Sequence, residues 1–575
     1  MKIKNIIINN FRNLDKLEIN FDMESNYIVG ENNLGKSNLL DALYTTFSNR
    51  KFEEDDYGDL SRNIEIIIKL ILNDAEIGFF GDEFNPRDKS SITLRYFQSP
   101  DDAYPNLICE NTGDSIPTHY IKQVHFMKYQ STESPNKELR FTSKSSAGNI
   151  FGSIVDAYIN RDVVNNTFLN ISNVENLTKY INERLGKLKG FSQYDIKAMV
   201  ANNVTELLSN LFYLSDGKHR IDKTGCGVQF IAMATLNIIG QIMELYKKRG
   251  QNFSEQLYTD SNGQKILPII VALDEPEVHL HPYLQRALIS YYKSILCNKD
   301  LEFLELLKMM FEIDGLDGQL LVVTHSSEIL LDDFKNIIRF YQKGDKTGVI
   351  SGSSLINSFH GAAKKQLIMR FKDIRETFFS HAVVIVEGET EYGCLPYFAE
   401  SLGINLDDKC ISIVMAKGEK SIKPLRNLFS YFKIPSVIIY DGDVRDQHEQ
   451  EIDDVYFTSG KCLEDDIVDS LYVRGELDTI KKIAFEIDDN VNNCLFDLKY
   501  VKKWFEYLEK NMDDYVPKKL TDVEDDDQAE FCVLYKIWYL RHKGILTGRI
   551  IGSNTPADSI PWCYVEALKR ASELV

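Results

Sequence analysis

Three things that the sequence lacks narrow its class before any motif is considered. Its nine cysteines are scattered and form no CxxC pair, which excludes a zinc-ribbon spacing and favours reduced thiols over a disulfide framework. The longest apolar run, ILPIIVAL at 266–273, is too short to cross a bilayer, and the opening MKIKNIIINNFRNL lacks the apolar core of a signal peptide. We therefore expect a soluble, cytoplasmic protein with no membrane partner.

The sequence also has no excess of basic charge. Its 66 basic and 86 acidic residues give a net charge of -20, which argues against adhesion to nucleic acid through overall charge. Binding of nucleic acid through a local basic groove, or through metal ions held by acidic clusters, is not excluded. A chain of 575 residues with 43% hydrophobic content is too long for one core, so two to four globular domains are expected.

A phosphate-binding loop stands near the start of the chain. The strand-like NYIVG ends at Gly30, and GENNLGKS at 30–37 leads into a helical pattern. This order of strand, glycine-rich loop and helix predicts an ATP site, with Lys36 on the β- and γ-phosphates and Ser37 on Mg²⁺. The predicted nucleotide-binding residues of the loop are Gly30, Asn33, Gly35, Lys36, Ser37 and Asn38.

Two later strand ends predict the rest of an ATPase site. The apolar run before DEPE ends in Asp274, which is suited to holding Mg²⁺, and Glu275, which is placed to activate the attacking water as a general base. QLLVVTHSSEIL at 319–330 ends its strand at His325, which can sense the γ-phosphate; a strand-end histidine satisfied by backbone is the alternative.

Together these motifs resemble the ATP-binding-cassette ATPases of the SMC and RecF kind. In that group the active site forms between two heads, so the resemblance implies a homodimer whose signature loop meets the partner's nucleotide. The candidate signature is DKTGCGVQFIAMATL, where Gly225 and Gly227 precede an apolar helix. It lacks the serine of the usual LSGGQ, and a glycine turn before a core helix is the alternative. Arg12 in NFRN is similar to an arginine near the nucleotide in RecF-type heads.

The long coiled-coil arms of SMC proteins are missing from this chain, since no sustained heptad repeat lies between Lys36 and Gly225. Instead, amphipathic pieces occur at roughly 150–215. They predict either a helical cap on the head or a dimerising insertion.

A second pattern begins after a basic helical connector. VVIVEG, ISIVMA and SVIIYDGD predict three strands separated by helices, which implies a parallel sheet with ligands at the carboxyl ends of its strands. Glu387 and Glu391 follow the first strand, and Asp441 and Asp443 end the third. In adjacent strands these carboxylates would converge and raise one another's pKa. Paired hard cations such as Mg²⁺ or Mn²⁺ would relieve the repulsion and can steady a phosphodiester under attack; two solvated acidic loops are the alternative.

This glutamate–glycine and Asp-x-Asp pair is similar to that of Toprim domains. A cassette ATPase followed by a Toprim domain resembles the OLD (overcoming lysogenization defect) nucleases, and the resemblance covers nearly the whole chain. It implies metal-dependent DNA cleavage, often in antiphage defence, with Glu387, Glu391, Asp441 and Asp443 as catalytic metal ligands.

The resemblance implies two further site residues. An acidic residue in KCLEDDIVDSL completes the metal shell, for which we take Glu464, although first-turn acidity is also ordinary helix capping. A lysine in YLRHKGILTGR steadies phosphate charge in the transition state, for which we take Lys543, with Arg541 and Arg549 as alternatives.

The sequence thus predicts an α/β protein. A RecF/SMC-like ATPase head with a helical insertion spans 1–365, and a Toprim Rossmann-like parallel-sheet domain with a C-terminal helical extension spans 366–575. The predicted function is an ATP-regulated DNA endonuclease that uses Mg²⁺ or Mn²⁺ and forms a homodimer or a higher homo-oligomer. A DNA-clamping or scaffold-forming ATPase without nuclease activity is the alternative. Relatives of this kind occur alone, with a UvrD-like helicase in Gabija systems, or beside a retron reverse transcriptase and its RNA–DNA product, so either partner is open.

Overall fold

The computed structural model describes most of the chain outside one central stretch. It covers 1–130 apart from 82 and 84, the positions 139, 145, 147–152 and 179, and 226–575 apart from 279, 356–357, 360, 449, 451–452 and 511–514. Gly225 and all but a few positions of the predicted insertion lie outside these residues. The chain forms two compact units, one of residues 1–28 and 35–331 and one of residues 29–34 and 332–575. The domain boundary expected at 365/366 stays a prediction.

The first unit is built on two β-sheets. Its strands are β1 (Lys2–Asn9), β2 (Leu17–Asn20), β3 (Ser25–Gly30), β4 (Ile64–Ile71), β5 (Ser91–Gln98), β6 (Asn106–Cys109), β7 (His125–Gln130), β8 (Tyr258–Thr259), β9 (Lys265–Asp274) and β10 (Gly315–Val323). The order β2-β1-β4-β5-β6 makes an antiparallel sheet. In the other sheet β3, β10, β9 and β7 run parallel in that order, and β8 pairs antiparallel with β9.

Burial patterns explain why these segments form different sheets. β4 alternates buried and half-buried residues, as a strand with one covered face does, whereas β9 is buried continuously from Ile266 to Leu273. Continuous burial is typical of a central parallel strand covered on both faces. Helices α1 (Lys36–Phe47), α2 (Cys226–Arg249), α3 (Pro282–Leu296) and α4 (Leu301–Phe311) belong to this unit.

The second unit contains a small parallel sheet and a helical C-terminal part. Its strands are β11 (Ile337–Lys343), β12 (Lys346–Ser351), β13 (Ala382–Val386), β14 (Ile411–Met415), β15 (Ser436–Tyr440), β16 (Val455–Phe457), β17 (Leu495–Phe496) and β18 (Lys518–Lys519). Its helices are α5 (Gly361–Ile374), α6 (Glu389–Ser401), α7 (Ile422–Tyr431), α8 (Arg445–His448), α9 (Leu463–Val473), α10 (Leu477–Ile487), α11 (Leu498–Tyr507), α12 (Gln528–Arg541), α13 (Ile545–Asn554) and α14 (Trp562–Glu573). The order β14-β13-β15-β16 is parallel throughout, as the alternating pattern predicts.

The core of this unit extends from the sheet into the C-terminal helices. All five residues of β13 are buried, and α12 is buried over ten consecutive residues, Phe531–Leu540. The polar atoms on α12 find backbone partners, since Trp538 Nε1 donates to Ala484 O and Tyr539 Oη donates to Ile480 O. Such pairing lets a nearly unbroken apolar helix carry polar tips inside a core. In the part of the chain that the structure describes, no helix is long and apolar enough to span a bilayer.

Candidate functional site

Acidic side chains meet at the carboxyl end of the second unit's sheet. Glu387 directly follows β13 and Asp441 directly follows β15, and these two strands are parallel neighbours with Val386 beside Ile439. The side chains therefore emerge at one sheet edge, into a cleft of about 370 Å³. Its lining includes Glu387, Glu389, Glu391, Asp441, Lys417 and Lys543, together with Gly388, Gly418 and Gly544.

The carboxylates in this acidic cleft disfavour one another's charge. Burial, together with the charge of the neighbouring Glu464, raises the pKa of Glu391 to about 7. Burial, followed by the charge of Glu391, raises the pKa of Asp441 well above its ordinary value. The pKa of Glu387 is raised by burial and then by Asp443. These mutual effects place the five predicted carboxylates in one electrostatic cluster.

Several oxygens in the cluster are buried without a hydrogen-bond partner, namely Oε2 of Glu387 and both carboxylate oxygens of Glu464. Lys543 Nζ lies 3.0 Å from Glu464 Oε2, an ion pair that falls short of hydrogen-bond geometry. Burial alone would lower the pKa of Lys543, but Glu464 and nearby acidic groups outweigh it and the pKa is raised. Buried carboxylate oxygens without donors are costly, so the cluster has unused capacity for a cation.

Glycines bring Lys543 to the cleft by letting two helices touch. A Cβ at Gly393 on α6 would lie 2.3 Å from the carbonyl oxygen of Ile545, and one at Gly548 on α13 would lie 2.1 Å from that of Thr390. Backbones can approach so closely only where no side chain intervenes. Gly544 precedes α13 with φ of 154°, and its N–H donates to Thr390 Oγ1 at 3.3 Å. Lys543 is thereby fixed beside the start of α6.

The two arginines weighed as alternatives to Lys543 lie elsewhere. The Arg541 guanidinium sits over the ring of Tyr500, 3.6 Å from its centroid. Arg549 lines a different cleft, on the far side of α6 with Tyr392 and Glu400. Of the three basic residues, Lys543 is the one in contact with the carboxylates.

The three consecutive acidic residues that open α9 point to different partners. Glu464 is fully buried beside Lys543, whereas Asp465 pairs with Lys536 of α12 and accepts the N–H of Lys461 at 2.8 Å. Asp466 accepts backbone N–H groups from the loop that precedes α9, at Ser459 and Gly460. Of the three, Glu464 is the one beside Lys543 of the acidic cleft, whereas the other two support the loop.

That supporting loop sets the position of the Asp441–Asp443 turn. The N–H of Gly442 donates to Thr458 Oγ1 at 2.7 Å, and a Cβ at Gly442 would lie 2.0 Å from Gly460 O. Tyr507 Oη donates to Asp443 Oδ2 at 3.4 Å. Tyr507 and Lys536 belong to no motif, and nothing in the sequence points to either of them as a neighbour of the site.

The donor set of the cleft fits a hard divalent cation. Carboxylate oxygens are the ligands that Mg²⁺ and Mn²⁺ prefer, and unpartnered buried oxygens are present on Glu387 and Glu464. Across the described residues, however, no three His, Cys, Asp or Glu side chains stand close enough together to hold an ion as they are. The carboxylates therefore share a cleft without forming a closed coordination shell.

The first unit assembles the predicted nucleotide residues around the start of α1. Gly35, with φ of 93°, leads into the helix at Lys36, and Ser37 Oγ donates to Asp274 Oδ1 at 2.8 Å. Burial raises the pKa of Asp274, the residue that ends β9. Lys128 on β7 pairs closely with Asp41 of α1 and lies 3.9 Å from Asp274 Oδ2.

His325 joins Glu275 in the same region. His325 Nε2 lies 3.3 Å from Glu275 Oε1, and burial followed by the charge of Lys36 lowers the pKa of the imidazole. The backbone N–H of His325 donates to Glu277 Oε1 at 2.6 Å. Burial raises the pKa of Glu277. The sequence pattern gave Glu277 no role, although it lies two residues after Glu275.

The remaining residues predicted to bind nucleotide are described by their backbone conformation and their nearest contacts. Gly30 and Asn33 adopt positive φ angles of 126° and 61°, and a Cβ at Gly30 would lie 2.0 Å from Phe340 O. Asn38 Oδ1 accepts a hydrogen bond from Arg12 Nη1 at 2.9 Å, so the Arg12 side chain contacts the first turn of α1. Gly227 is in the first turn of α2. All these roles stay predictions.

Comparison with known proteins matches each part of the chain. A family model described as an overcoming lysogenization defect protein-like TOPRIM domain matches 378–443, and one described as an AAA ATPase domain matches 1–151 and 127–330. The chain is 23% identical over 518 residues to Endonuclease GajA of Bacillus cereus strain HuB5-5, covering 76% of this chain and 73% of that protein. Its counterpart in strain VD045 is 26% identical over 438 residues, covering 68% and 66%.

Solved structures show similarity at lower identity. The Smc head bound to the C-winged helix domain of ScpA is 13% identical, with a TM-score of 0.32, covering 61% of this chain and 98% of that one. The C-terminal region of the Burkholderia pseudomallei OLD protein is 19% identical, with a TM-score of 0.24, covering 34% and 100%. The two family matches and the parallel sheets confirm the predicted fold class, an α/β ATPase head followed by a Toprim domain.

Proposed function

The chain belongs to the AAA ATPase domain family and carries an OLD-like Toprim domain, and from this premise we propose that it is an ATP-regulated, divalent-metal-dependent DNA endonuclease. The observation that carries the proposal is the acidic cleft, where Glu387, Glu391 and Asp441 converge and buried oxygens lack partners. The similarity to proteins named Endonuclease GajA supports the same activity.

Within this proposal the cleft residues divide the work of cutting a phosphodiester. Glu387, Glu391, Asp441, Asp443 and Glu464 would hold Mg²⁺ or Mn²⁺. When bound, the cation supplies Lewis-acid polarisation of the scissile phosphate. These carboxylates would then be held ionised by the cation's charge, available to orient water and substrate.

Lys543 would stabilise charge on the phosphate. It is the basic side chain in contact with the cluster, and its raised pKa keeps it an ammonium at neutral pH. An ammonium aimed at developing negative charge in a confined cleft is an effective form of transition-state stabilisation. Gly388 lines the cleft without a side chain, which would let a phosphate approach the backbone there, whereas Gly442 packs against Gly460 O.

ATP would bind at the other unit and regulate cleavage. Lys36 would contact the β- and γ-phosphates, Ser37 and Asp274 would hold Mg²⁺, and Glu275 would activate water, with His325 sensing the γ-phosphate. Gly225 and Gly227 would serve the nucleotide of a partner copy, so we infer a homodimer or a higher homo-oligomer. A role in antiphage defence in the cytoplasm, with a UvrD-like helicase or a retron reverse transcriptase as partner, follows as part of the same proposal.

One experiment separates this enzyme from a DNA-clamping ATPase. Purified wild-type protein and Glu387→Gln are incubated with supercoiled plasmid and Mg²⁺ or Mn²⁺, with and without ATP, and both nicking and ATP hydrolysis are followed. We expect wild type to nick the plasmid, and Glu387→Gln to lose at least about 100-fold in rate because a metal ligand is gone, with ATP hydrolysis retained. Glu400→Gln, an exposed glutamate on α6, is the matched control. ATP hydrolysis without any nicking by wild type would leave the clamp as the better account, and nicking by Glu387→Gln at the wild-type rate would place cleavage outside the acidic cleft.

A further inference from the structure

A basic cleft lies beside the acidic one, although the chain as a whole is strongly acidic. It has a volume of about 750 Å³ and lies between α5 and α7 of the second unit. Phe359, Lys420, Lys423, Asn427, Tyr431 and Lys433 belong to its lining, and none of the described residues that line it is acidic. A local concentration of lysines is unusual in a protein whose net charge is -20, so this surface calls for an anionic occupant.

The three lysines of the basic cleft are available for binding. Lys420, Lys423 and Lys433 are exposed, and none forms an ion pair with any residue that the structure describes. Two other lysines of this unit differ, because Lys417 pairs with Asp373 at 3.2 Å and Lys461 pairs with Glu509. Uncompensated lysines held on one surface attract phosphate more strongly than lysines already paired with carboxylates.

The walls of the basic cleft are firmly held. Lys423 and Asn427 are one helical turn apart on α7, so they face the same side. Gln366 of α5 donates to Ser421 Oγ just before α7, which ties the two walls together. Arg339 Nη1 donates to Phe432 O and Lys433 O at the far end of α7. The lysines therefore project from a fixed frame.

One short segment joins the basic cleft to the acidic cleft. Lys417 and Gly418 line the acidic cleft, and the N–H of Gly418 donates to Glu387 O at 3.2 Å. Lys420, which is three residues after Lys417, lines the basic cleft. Three residues span at most about 11 Å, so a strand whose phosphate lies in the acidic cleft reaches the first lysine within a few nucleotides.

We propose that the basic cleft binds the phosphate backbone of the DNA as it leaves the acidic cleft, with Lys420, Lys423 and Lys433 as the contacts. This assignment rests on the proposed nuclease function and adds to it the path of the substrate. Continuity with the acidic cleft selects DNA as the occupant. A strand whose phosphate lies in the acidic cleft reaches the lysines of the basic cleft within a few nucleotides. A free nucleotide or an acidic protein in the cleft is tested by the same experiment.

The test uses full-length protein in which the three lysines are replaced together, Lys420→Gln, Lys423→Gln and Lys433→Gln. Binding to a fluorescein-labelled 30-base-pair duplex is measured by anisotropy in EDTA across a range of salt concentrations. We expect Kd to rise at least about 10-fold, and the slope of log K against log salt to flatten by about 2–3, because three phosphate contacts are lost. In cleavage assays KM should rise while kcat at saturating DNA changes little.

The matched control removes three exposed lysines elsewhere, Lys248→Gln, Lys482→Gln and Lys569→Gln, with the same change in net charge. It should keep wild-type affinity and salt slope. If wild type cuts DNA and the cleft variant keeps full affinity and slope, the basic cleft is not the DNA path, whereas the nuclease proposal stands. If wild type neither binds nor cuts DNA, both proposals fail together.

Discussion

Two groups of carboxylates, one in each unit, are held in opposite ways. In the first unit Asp41 pairs with Arg12 and with Lys128, and Asp274 accepts a hydrogen bond from Ser37. In the second unit burial and the neighbouring carboxylates raise the pKa of Glu391 and of Asp441, and Glu464 has two buried oxygens without a hydrogen bond. In the first group each carboxylate has a donor of its own, whereas the second group shares Lys543 among several carboxylates and keeps buried oxygens without a hydrogen bond.

The difference follows from where the sequence puts its cations. Lys128 on β7 and Ser37 on α1 come from elements next to the strand that carries Asp274, so each carboxylate meets a donor of its own. The acidic cluster of the second unit draws its carboxylates from the ends of two adjacent strands and from the first turns of α6 and α9. A balanced group is ready before any ligand arrives, whereas an unbalanced group has its lowest free energy with a cation present.

The largest expected effect is a pair of stability changes of opposite sign. Asp41→Asn removes the close partner of Lys128, a side chain only 5% exposed, and should lower stability by about 2 kcal/mol, or roughly 4–8 °C in melting temperature. Glu391→Gln removes one charge from a buried repulsive cluster and should raise stability by up to about 1 kcal/mol. Differential scanning calorimetry in EDTA measures both.

Glu400→Gln, exposed on the same helix as Glu391, serves as the control and should leave the melting temperature unchanged. A loss of stability in Glu391→Gln like that in Asp41→Asn would contradict the contrast, because it would mean that the acidic cleft is balanced after all.

A smaller effect concerns the response to a cation. Adding Mn²⁺ at ten times its Kd should stabilise nucleotide-free wild-type protein by about 1.4 kcal/mol, because the ion binds the folded state. Asp441→Asn removes a carboxylate from the acidic cleft and should abolish most of that gain, whereas Asp274→Asn in the first unit should keep it. The measurement is a thermal-shift titration with Mn²⁺. An equal loss in both variants would place the response outside the acidic cleft.

Strand ends were the part of the site that the sequence could predict. The apolar runs before Glu387, Asp441 and Asp274 are local patterns, and alternating strands and helices imply a parallel sheet whose carboxyl ends coincide. The structure has each of these strands ending where the pattern ends. Residues whose position depends only on such an end could therefore be named in advance.

Helix packing decided what the sequence left open. Glu464, Asp465 and Asp466 are equivalent as a first-turn acidic run, and only their different partners, among them Lys536, separate them. The choice of Lys543 depends on backbone contact between α6 and α13, which a single sequence does not reveal. Long-range packing leaves no local signature.

The smallest effect tests an exception within the balanced unit. His125 on β7 is buried, its Nε2 has no hydrogen-bond partner, and burial lowers its pKa to about 3. The unfolded chain, with an ordinary imidazole pKa, binds the proton first as the pH falls below about 6.5, so His125 destabilises the folded state there. Between pH 7.5 and 6.0 the loss of folding free energy from this residue should be about 0.8 kcal/mol.

His125→Leu should remove that increment from the pH dependence of the melting temperature, whereas His119→Gln, at an exposed histidine, should not. An unchanged pH dependence in His125→Leu would mean that the folded-state pKa of the imidazole is close to its ordinary value, so that His125 is no exception within the first unit.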